Sequence, residues 1–471
     1  MNTIFKLLLG ILGIILLILF YLLQTNIGHK NVESLLEHYL STESNDKILV
    51  QSLNLTQYPT ISLTLKINNS SKVMLKGYID NNSINMNYHL IGTSLDINDF
   101  HLKDTIDVTG TLKGAFNHLK VTGTGKVFDG NITYEFINFP NKIENLSLQI
   151  IDANSTKIAH FFETKLPFYG LTNIDATFRT LSIQEKKGQA KISMKRLLLP
   201  NVKMPFELNS IILFNNINYK YNIQLFSNIG KITISKGNYN SSKKLFLADY
   251  HLHINNLISF RELFKHQLKG SFNTIGHISY NQKNQELVIT GESHKFGGNI
   301  EYLYKKSTLE LKLKSLPLES ILNALSYPTL FTSNIYGNIT YHFKEKMLII
   351  NIDLKKTQFV KSELTEMIQK KLGTDLLIGY YDKSIFYAGY QNHTFSSTLR
   401  LDNGDNYIYL TNTSINTKNR ELKSQFKMKM SGQIVEGHIY NTLENPKVNI
   451  DTQFIRLINQ SLERWLKKTH I

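Results

Sequence analysis

What most constrains this chain is a strict two-residue alternation of apolar and polar side chains along most of its length. Ile61, Leu63, Leu65 and Ile67 alternate with Ser62, Thr64 and Lys66. The pattern returns at Ile217-Tyr219-Tyr221-Ile223-Leu225, at Leu309-Leu311-Leu313 and at Leu348-Ile350-Ile352-Leu354. Shorter runs occur at Ile84-Met86-Tyr88-Leu90, Leu146-Leu148-Ile150 and Phe426-Met428-Met430. In a strand, successive side chains point to opposite faces, so each run makes a ribbon with one apolar and one wet face. Breaks such as Asn68-Asn69-Ser70-Ser71, residues 238–242 and Asp402-Asn403-Gly404 supply turns. The expected fold is mainly β, an antiparallel meander.

Short helices interrupt it. Val32, Leu35, Leu36, Tyr39 and Leu40 recur at helical spacing. Ser362 can cap a helix with Glu363 and Glu366 early, Lys370 and Lys371 late, and Gly373 as its stop. Residues 318–325 and 256–265 are shorter candidates. From residue 453 to 468, Phe454, Ile455, Ile458, Leu462, Trp465 and Leu466 lie beside Arg456, Arg464, Lys467 and Lys468. That tail reads as a basic amphipathic helix, with Trp465, Arg464, Lys467 and Lys468 as candidates for docking a membrane or partner, or as a plug on the last strand.

Residues 4–23 carry one charge, Lys6. About 20 apolar residues at ~1.5 Å each span ~30 Å, the thickness of a bilayer core. The exit is Gln24-Thr25-Asn26 rather than a small-residue cleavage site. The expectation is a single-pass signal anchor in residues 1–30, a body over 31–452 outside the cytoplasm, and the terminal helix over 453–471. Of 471 residues, 42% are hydrophobic and 19% charged, too apolar for disorder. Cysteine is absent, which excludes disulfides and thiolate chemistry. The net charge of +16 comes from lysines spread along the chain. It suits anionic lipid and gives no nucleic-acid motif.

Two segments 168 residues apart align without a gap. Gly123, Phe128, Gly130, Asn131, Ile132 and Tyr134 match Gly291, Phe296, Gly298, Asn299, Ile300 and Tyr302. A partial third copy is Tyr336-Gly337-Asn338-Ile339-Thr340-Tyr341, and Leu112-Lys113-Gly114-Ala115-Phe116 is similar to Leu268-Lys269-Gly270-Ser271-Phe272. Repeats that stack on their neighbours predict an extended body.

The single anchor, the alternating strands and units such as Val108-Thr109-Gly110-Thr111-Leu112-Lys113-Gly114 together resemble the AsmA-like and TamB-like envelope proteins of Gram-negative bacteria. The late stretch Ile434 to Tyr440, leading to Pro446-Lys447-Val448, is similar to how such chains close. The resemblance implies an inner-membrane protein with a periplasmic body. That body would be an elongated open β-groove carrying phospholipid towards the outer membrane, with the alternating apolar residues named first as its lining.

No catalytic or cofactor motif accompanies this pattern. Gly123-Thr124-Gly125-Lys126 lacks the spacing of a phosphate loop. His251 and His253 share a strand face without a third ligand nearby, and Asp402-Asn403-Gly404-Asp405 is a turn rather than a calcium loop. The expectation is a protein that is not an enzyme and needs no cofactor or metal. Exposing the roughly 30 methylenes of a two-chain lipid costs on the order of 24 kcal/mol, a barrier that an apolar trough removes. Periodicity alone does not separate such a trough from a packed core. The alternative function is a structural or assembly factor for the envelope that carries no lipid. At roughly 12 residues per strand and turn the body holds ~35 strands, with an upper length near 160 Å that helices and loops cut to about 100 Å. A partner protein or an oligomer is then expected to complete a crossing of the periplasm.

Overall fold

The computed structural model describes residues 26–450, with breaks at 45–46, 69, 81, 98–99, 162–168, 200–201, 262–266, 373–374 and 431. The expected anchor at 4–23 and the terminal helix with Trp465 lie outside the described residues. Among the described residues no helix is long and apolar enough to cross a membrane. The chain is mainly β, and twenty-six of its strands form one open antiparallel sheet. Chain contacts divide it into two units.

The first unit takes in residues up to Ser227, with Asn238–Ser242. Helix α1 (Asn26–Ser44) leads to β1 (Ile48–Asn54), β2 (Thr60–Ile67), β3 (Ser71–Ile79) and β4 (Ser83–Gly92). A separate small hairpin follows, β5 (Leu95–Ile97) and β6 (Phe100–Leu102). The meander resumes with β7 (Ile106–Ala115), β8 (His118–Val127), β9 (Gly130–Phe139) and β10 (Lys142–Asn154). After the short α2 (Ser155–Phe161) come β11 (Tyr169–Leu181), β12 (Lys186–Leu199), β13 (Val202–Asn215) and β14 (Asn218–Ser227). Each strand pairs with the next, and β4 pairs with β7 across the hairpin.

The second unit holds Asn228–Gly237 and everything from Lys243. It includes most of β15 (Gly230–Asn240), then β16 (Leu245–Ile254) and a 3-10 turn at Leu257–Phe260. Next are β17 (Phe272–Asn281), β18 (Glu286–Ser293), β19 (Asn299–Lys305), β20 (Thr308–Pro317) and helix α3 (Leu318–Ala324). Then follow β21 (Phe331–His342), β22 (Met347–Phe359) and helix α4 (Glu363–Leu372). The unit ends with β23 (Ser384–Gln391), β24 (Thr394–Asp402), β25 (Tyr407–Asn416), β26 (Glu421–Met430), β27 (Gln433–Thr442) and β28 (Asn445–Ile450). Among the described residues there are twenty-eight strands against the ~35 expected at roughly 12 residues per strand and turn, with several strands running to 13 or 14 residues and helices taking part of the chain.

Of the predicted helices, α3 starts after Pro317 without a side-chain cap, whereas α4 starts on one. The Ser362 hydroxyl accepts from the Thr365 amide at 3.3 Å, and the Thr365 hydroxyl accepts from the Ser362 amide at 2.9 Å. This reciprocal cap starts α4. Within the expected 256–265 helix, Leu257–Phe260 form a 3-10 turn capped by Asn256 Oδ1 on the Ile258 amide at 3.0 Å, and residues 262–265 lie outside the described residues. Asn238–Asn240 extend β15, so the turn predicted there falls at 241–244 instead.

Helix α1 closes the outer edge of β1, which pairs only with β2. The backbone N–H groups of Ile48, Val50 and Leu53 donate to Ser41 Oγ, Glu37 Oε2 and Glu33 Oε1 at 3.2, 3.0 and 3.0 Å. An exposed strand edge invites pairing with other chains, and these side chains occupy its donors.

In each unit the apolar face packs into a cluster at one end of the strands, and in the first unit Leu53 and Met86 are buried outside it as well. In the first unit Leu65, Ile67, Val127, Phe128, Ile150 and Ala153 meet Leu95 and Leu102 of the small hairpin, with Leu40, Ile158 and Phe161 of the helices. In the second, Leu313, Leu316, Ile335, Leu354 and Phe359 meet Leu318 and Ile321 of α3, Ile368 of α4, and Leu376 and Tyr381. Bulges shape these ends. Asp152, Arg196, Ser315 and Lys356 take φ of +56°, +54°, +52° and +52°. The residue after each, Ala153, Leu197, Leu316 or Thr357, is essentially inaccessible. An extra residue in one strand bends it and resets its alternation, and here it turns the strand end over the core.

Candidate functional site

The sixteen predicted lining residues sort along the strands. Leu65, Ile67, Leu313 and Leu354 lie in the packed ends and are buried. Ile61, Leu63, Tyr219, Tyr221, Ile223, Leu225, Leu309, Leu311, Leu348, Ile350 and Ile352 share the same face but stay partly exposed. Ile217 differs. It lies in the turn before β14 and is 47% exposed, outside the alternation it was expected to begin. The apolar face is therefore neither a closed core nor wholly bare.

The repeat residues build one device in each unit. Tyr88, Gly110, Gly123 and Tyr134 stand side by side on β4, β7, β8 and β9. Tyr250, Gly276, Gly291 and Tyr302 do the same on β16, β17, β18 and β19. The two tyrosines of each row lean toward each other over the two glycines. Tyr88 Oη and Tyr134 Oη are 2.5 Å apart, and Tyr88 Oη donates to the Thr122 carbonyl at 3.0 Å. Tyr250 Oη contacts Tyr302 Oη and donates to the Thr290 carbonyl at 3.2 Å. A methyl group on Gly123 or Gly291 would meet both rings. Burial, reinforced by the partner hydroxyl, pushes the Tyr88 and Tyr250 phenols well above their ordinary range. Covering strand glycines with aromatic rings restores the area that missing side chains fail to bury.

Alignment found Gly123, Tyr134, Gly291 and Tyr302 but missed Tyr88, Gly110, Tyr250 and Gly276. The links from β4 to β7 and from β16 to β17 differ in length, 93–105 against 255–271, which destroys a gapless match. Phe128 and Phe296 both pack into their unit's core, yet the hairpins differ. Val127 pairs with Gly130 around a tight turn with Phe128 and Asp129 at φ +54° and +63°, whereas β18 and β19 part beyond Ser293–Ile300. Gly298 precedes β19, where Gly130 opens β9. The partial copy at Tyr336–Tyr341 is mid-strand, with Gly337 paired to Ile352 and Tyr336 39% exposed. Gly114 lies within β7, paired with Leu119, while Gly270 precedes β17, so that likeness is not structural.

The wet face carries cavities over the glycine rows. In the first unit a cavity of about 1050 Å³ is floored by Gly110 and Gly123 and walled by Thr109, Thr124 and Thr133. His89 Nε2 lies 2.8 Å from Asp107 Oδ1 beside it. In the second, about 640 Å³ sits over Gly276 and Gly291, with His277 Nδ1 2.6 Å from Asp249 Oδ1. Lys236 first, then His277, hold the Asp249 carboxyl below its ordinary value. The linings mix polar groups with apolar ones, Met74 and Leu75 in the first unit and Ile275 in the second. His251 Nε2–H donates to Asn273 Oδ1 at 2.5 Å on an exposed strand face. Among the described residues no group of three His, Asp or Glu could hold a metal ion. Residues 402–406 form the predicted turn, with the Gly404 and Asn406 amides donating to Asp402 Oδ1 and Asn403 Oδ1 at 2.7 Å each.

No family model matches this chain, and no curated protein or solved structure matches it either.

Proposed function

We propose that this protein is anchored in the inner membrane and shelters phospholipid acyl chains on the apolar face of its periplasmic body, carrying them towards the outer membrane as AsmA-like and TamB-like proteins do. One observation carries the reading. Mid-strand leucines, isoleucines and tyrosines such as Leu63, Tyr221, Leu311 and Ile350 stay partly exposed, while the same face is packed at one strand end. Fully burying such a side chain stabilises by about 1.5–3 kcal/mol. A face left half-covered keeps part of that free energy for an apolar chain laid upon it. The sites along it are chemically alike, so cargo passes between them without a large barrier.

Photo-crosslinking residues at Tyr221 and Leu311, with wet-face controls at Asn222 and Lys312, test this in the full-length protein in membranes. Phospholipid adducts are expected from the apolar positions only. Equal capture on both faces, or none, would refute lipid carriage and favour an assembly role without lipid.

A further inference from the structure

Resting on that lipid reading, the geometry points to the cargo's headgroup class and its lie: an amphiphile with an anionic, phosphate-bearing headgroup, its acyl chains parallel to the strands of the second unit. Side chains are layered from turn to core. The hairpin turns at the open strand ends carry Lys244, Lys283, Lys306, Lys346 and Arg420, whereas the β23–β24 turn, Asn392-His393, and the β27–β28 turn, Leu443-Glu444, carry no Lys or Arg. Of the acids on this rim, Glu286 and Glu444 are paired with Lys305 and Arg420, and Glu345 stands between Lys344 and Lys346 in the β21–β22 turn. Lys283, Lys306 and Lys346 make no ion pair among the described residues. Alternate turns on one edge are two strands, roughly 10 Å, apart, about one Debye length, so their fields overlap.

Just inside the cations lies one unbroken cross-strand row: Tyr304, Leu309, Tyr341, Leu348, Tyr390 and Phe395. All six are partly exposed. Tyrosine at the boundary of apolar and polar layers is the signature of a lipid interface. Beyond the row the face is aliphatic on β20 to β22, through Leu311, Ile339, Ile350 and Ile352, with Tyr302 on β19 and Phe386 on β23 flanking it. From Leu309 to Leu313 is four residues, about 14 Å at ~3.4 Å each. One leaflet of a ~30 Å hydrocarbon core is about 15 Å. Cation, aromatic and aliphatic layers therefore follow one another at the spacing of headgroup, interface and acyl chain. The corresponding rim of the first unit is charge-balanced, with Lys142 and Lys187 paired to Glu144 and Glu185 at 2.5 and 2.6 Å. The headgroup preference belongs to the second unit.

The test uses the full-length protein with a photo-crosslinking residue at Ile350, in vesicles of equal phosphatidylglycerol and phosphatidylcholine, with adducts identified by mass spectrometry. Phosphatidylglycerol is expected in about fivefold excess over its supply, the effect of one well-placed cation near a lipid surface. A Lys283→Glu/Lys306→Glu/Lys346→Glu variant should bring the ratio to about unity while phosphatidylcholine adducts persist, which also reports an intact fold. Adducts at the supply ratio, or an excess that the triple variant leaves unmoved, overturn the anionic assignment and leave lipid carriage standing. Absence of any lipid adduct at Ile350 overturns the parent reading, and this one with it.

Discussion

Replacing Gly291 by alanine isolates the tyrosine–glycine row from every other stabilising feature of the second unit. The added methyl would sit 2.5 Å from Tyr250 Oη and 2.6 Å from Tyr302 Cζ, well inside contact distance. Both rings must then move, giving up the hydroxyl contact between them and the bond from Tyr250 to the Thr290 carbonyl. Overpacking a fitted site costs about 1–3 kcal/mol, so about 2 kcal/mol is expected here. Gly389 in β23 is the control, because a methyl there meets nothing closer than the Leu348 carbonyl at 3.5 Å. Gly389→Ala should be neutral or stabilising by up to about 0.5 kcal/mol through reduced chain entropy. Hydrogen exchange of the slow amides in β18 and β19 reads the opening free energy of that region directly. A loss of about 2 kcal/mol appears as roughly thirtyfold faster exchange. In a Tyr302→Ala background the further cost of Gly291→Ala should fall by more than half, since the main obstacle has gone. If Gly291→Ala and Gly389→Ala behave alike, or the cost survives loss of the ring, the row is not what holds this register.

The edge cap, the buried phenols and the α4 cap give three more outcomes. Glu33→Ala/Glu37→Ala strips acceptors from the Val50 and Leu53 amides. Those amides should then exchange freely, and concentration-dependent self-association should appear by light scattering. Tyr409 is pushed up to about 12, first by its hydrogen bond to Asp402, and Tyr381 to about 12 by burial. Both phenols stay neutral in the folded state past the ordinary value near 10, so their stabilisation is complete below about pH 10 and lost as pH rises through about 12. Absorbance at the tyrosinate band should show a late-ionising class tied to unfolding, and a single transition near pH 10 would contradict it. Ser362→Ala should destabilise α4 by about 1 kcal/mol, seen as faster exchange at Thr365 and Glu366, with Ser362→Asp restoring most of it.

Alternation is a local property, and it assigned faces well. Leu63, Leu311 and Ile350 point where their spacing says, because a strand leaves a side chain no other choice. Ser362 and Asn403 likewise act within three residues of themselves. Legibility stopped where partners are distant in sequence. Tyr88 meets Tyr134 across 46 residues and three strand pairings, and the β5–β6 hairpin hides the relation. The packed ends depend on α3, α4 and the small hairpin folding back, which no periodicity encodes. Leu316 and Leu197 fall out of phase with the alternation before them because bulges at Ser315 and Arg196 intervene. The split between buried Leu313 and half-exposed Leu311 follows from those covers rather than from either leucine.

The matched register of the two tyrosine–glycine rows, set beside their unlike hairpins, separates two jobs in this chain. Alignment of neighbouring strands is fixed at mid-strand, where Gly123 faces Tyr134 and Gly291 faces Tyr302. Nothing in that lock depends on the turns. The tips are thus free to drift in length and charge with little penalty to folding, and they are also the parts that would meet a headgroup. Selectivity could be retuned by substituting rim residues alone, on a scaffold whose pairing is insulated from the change.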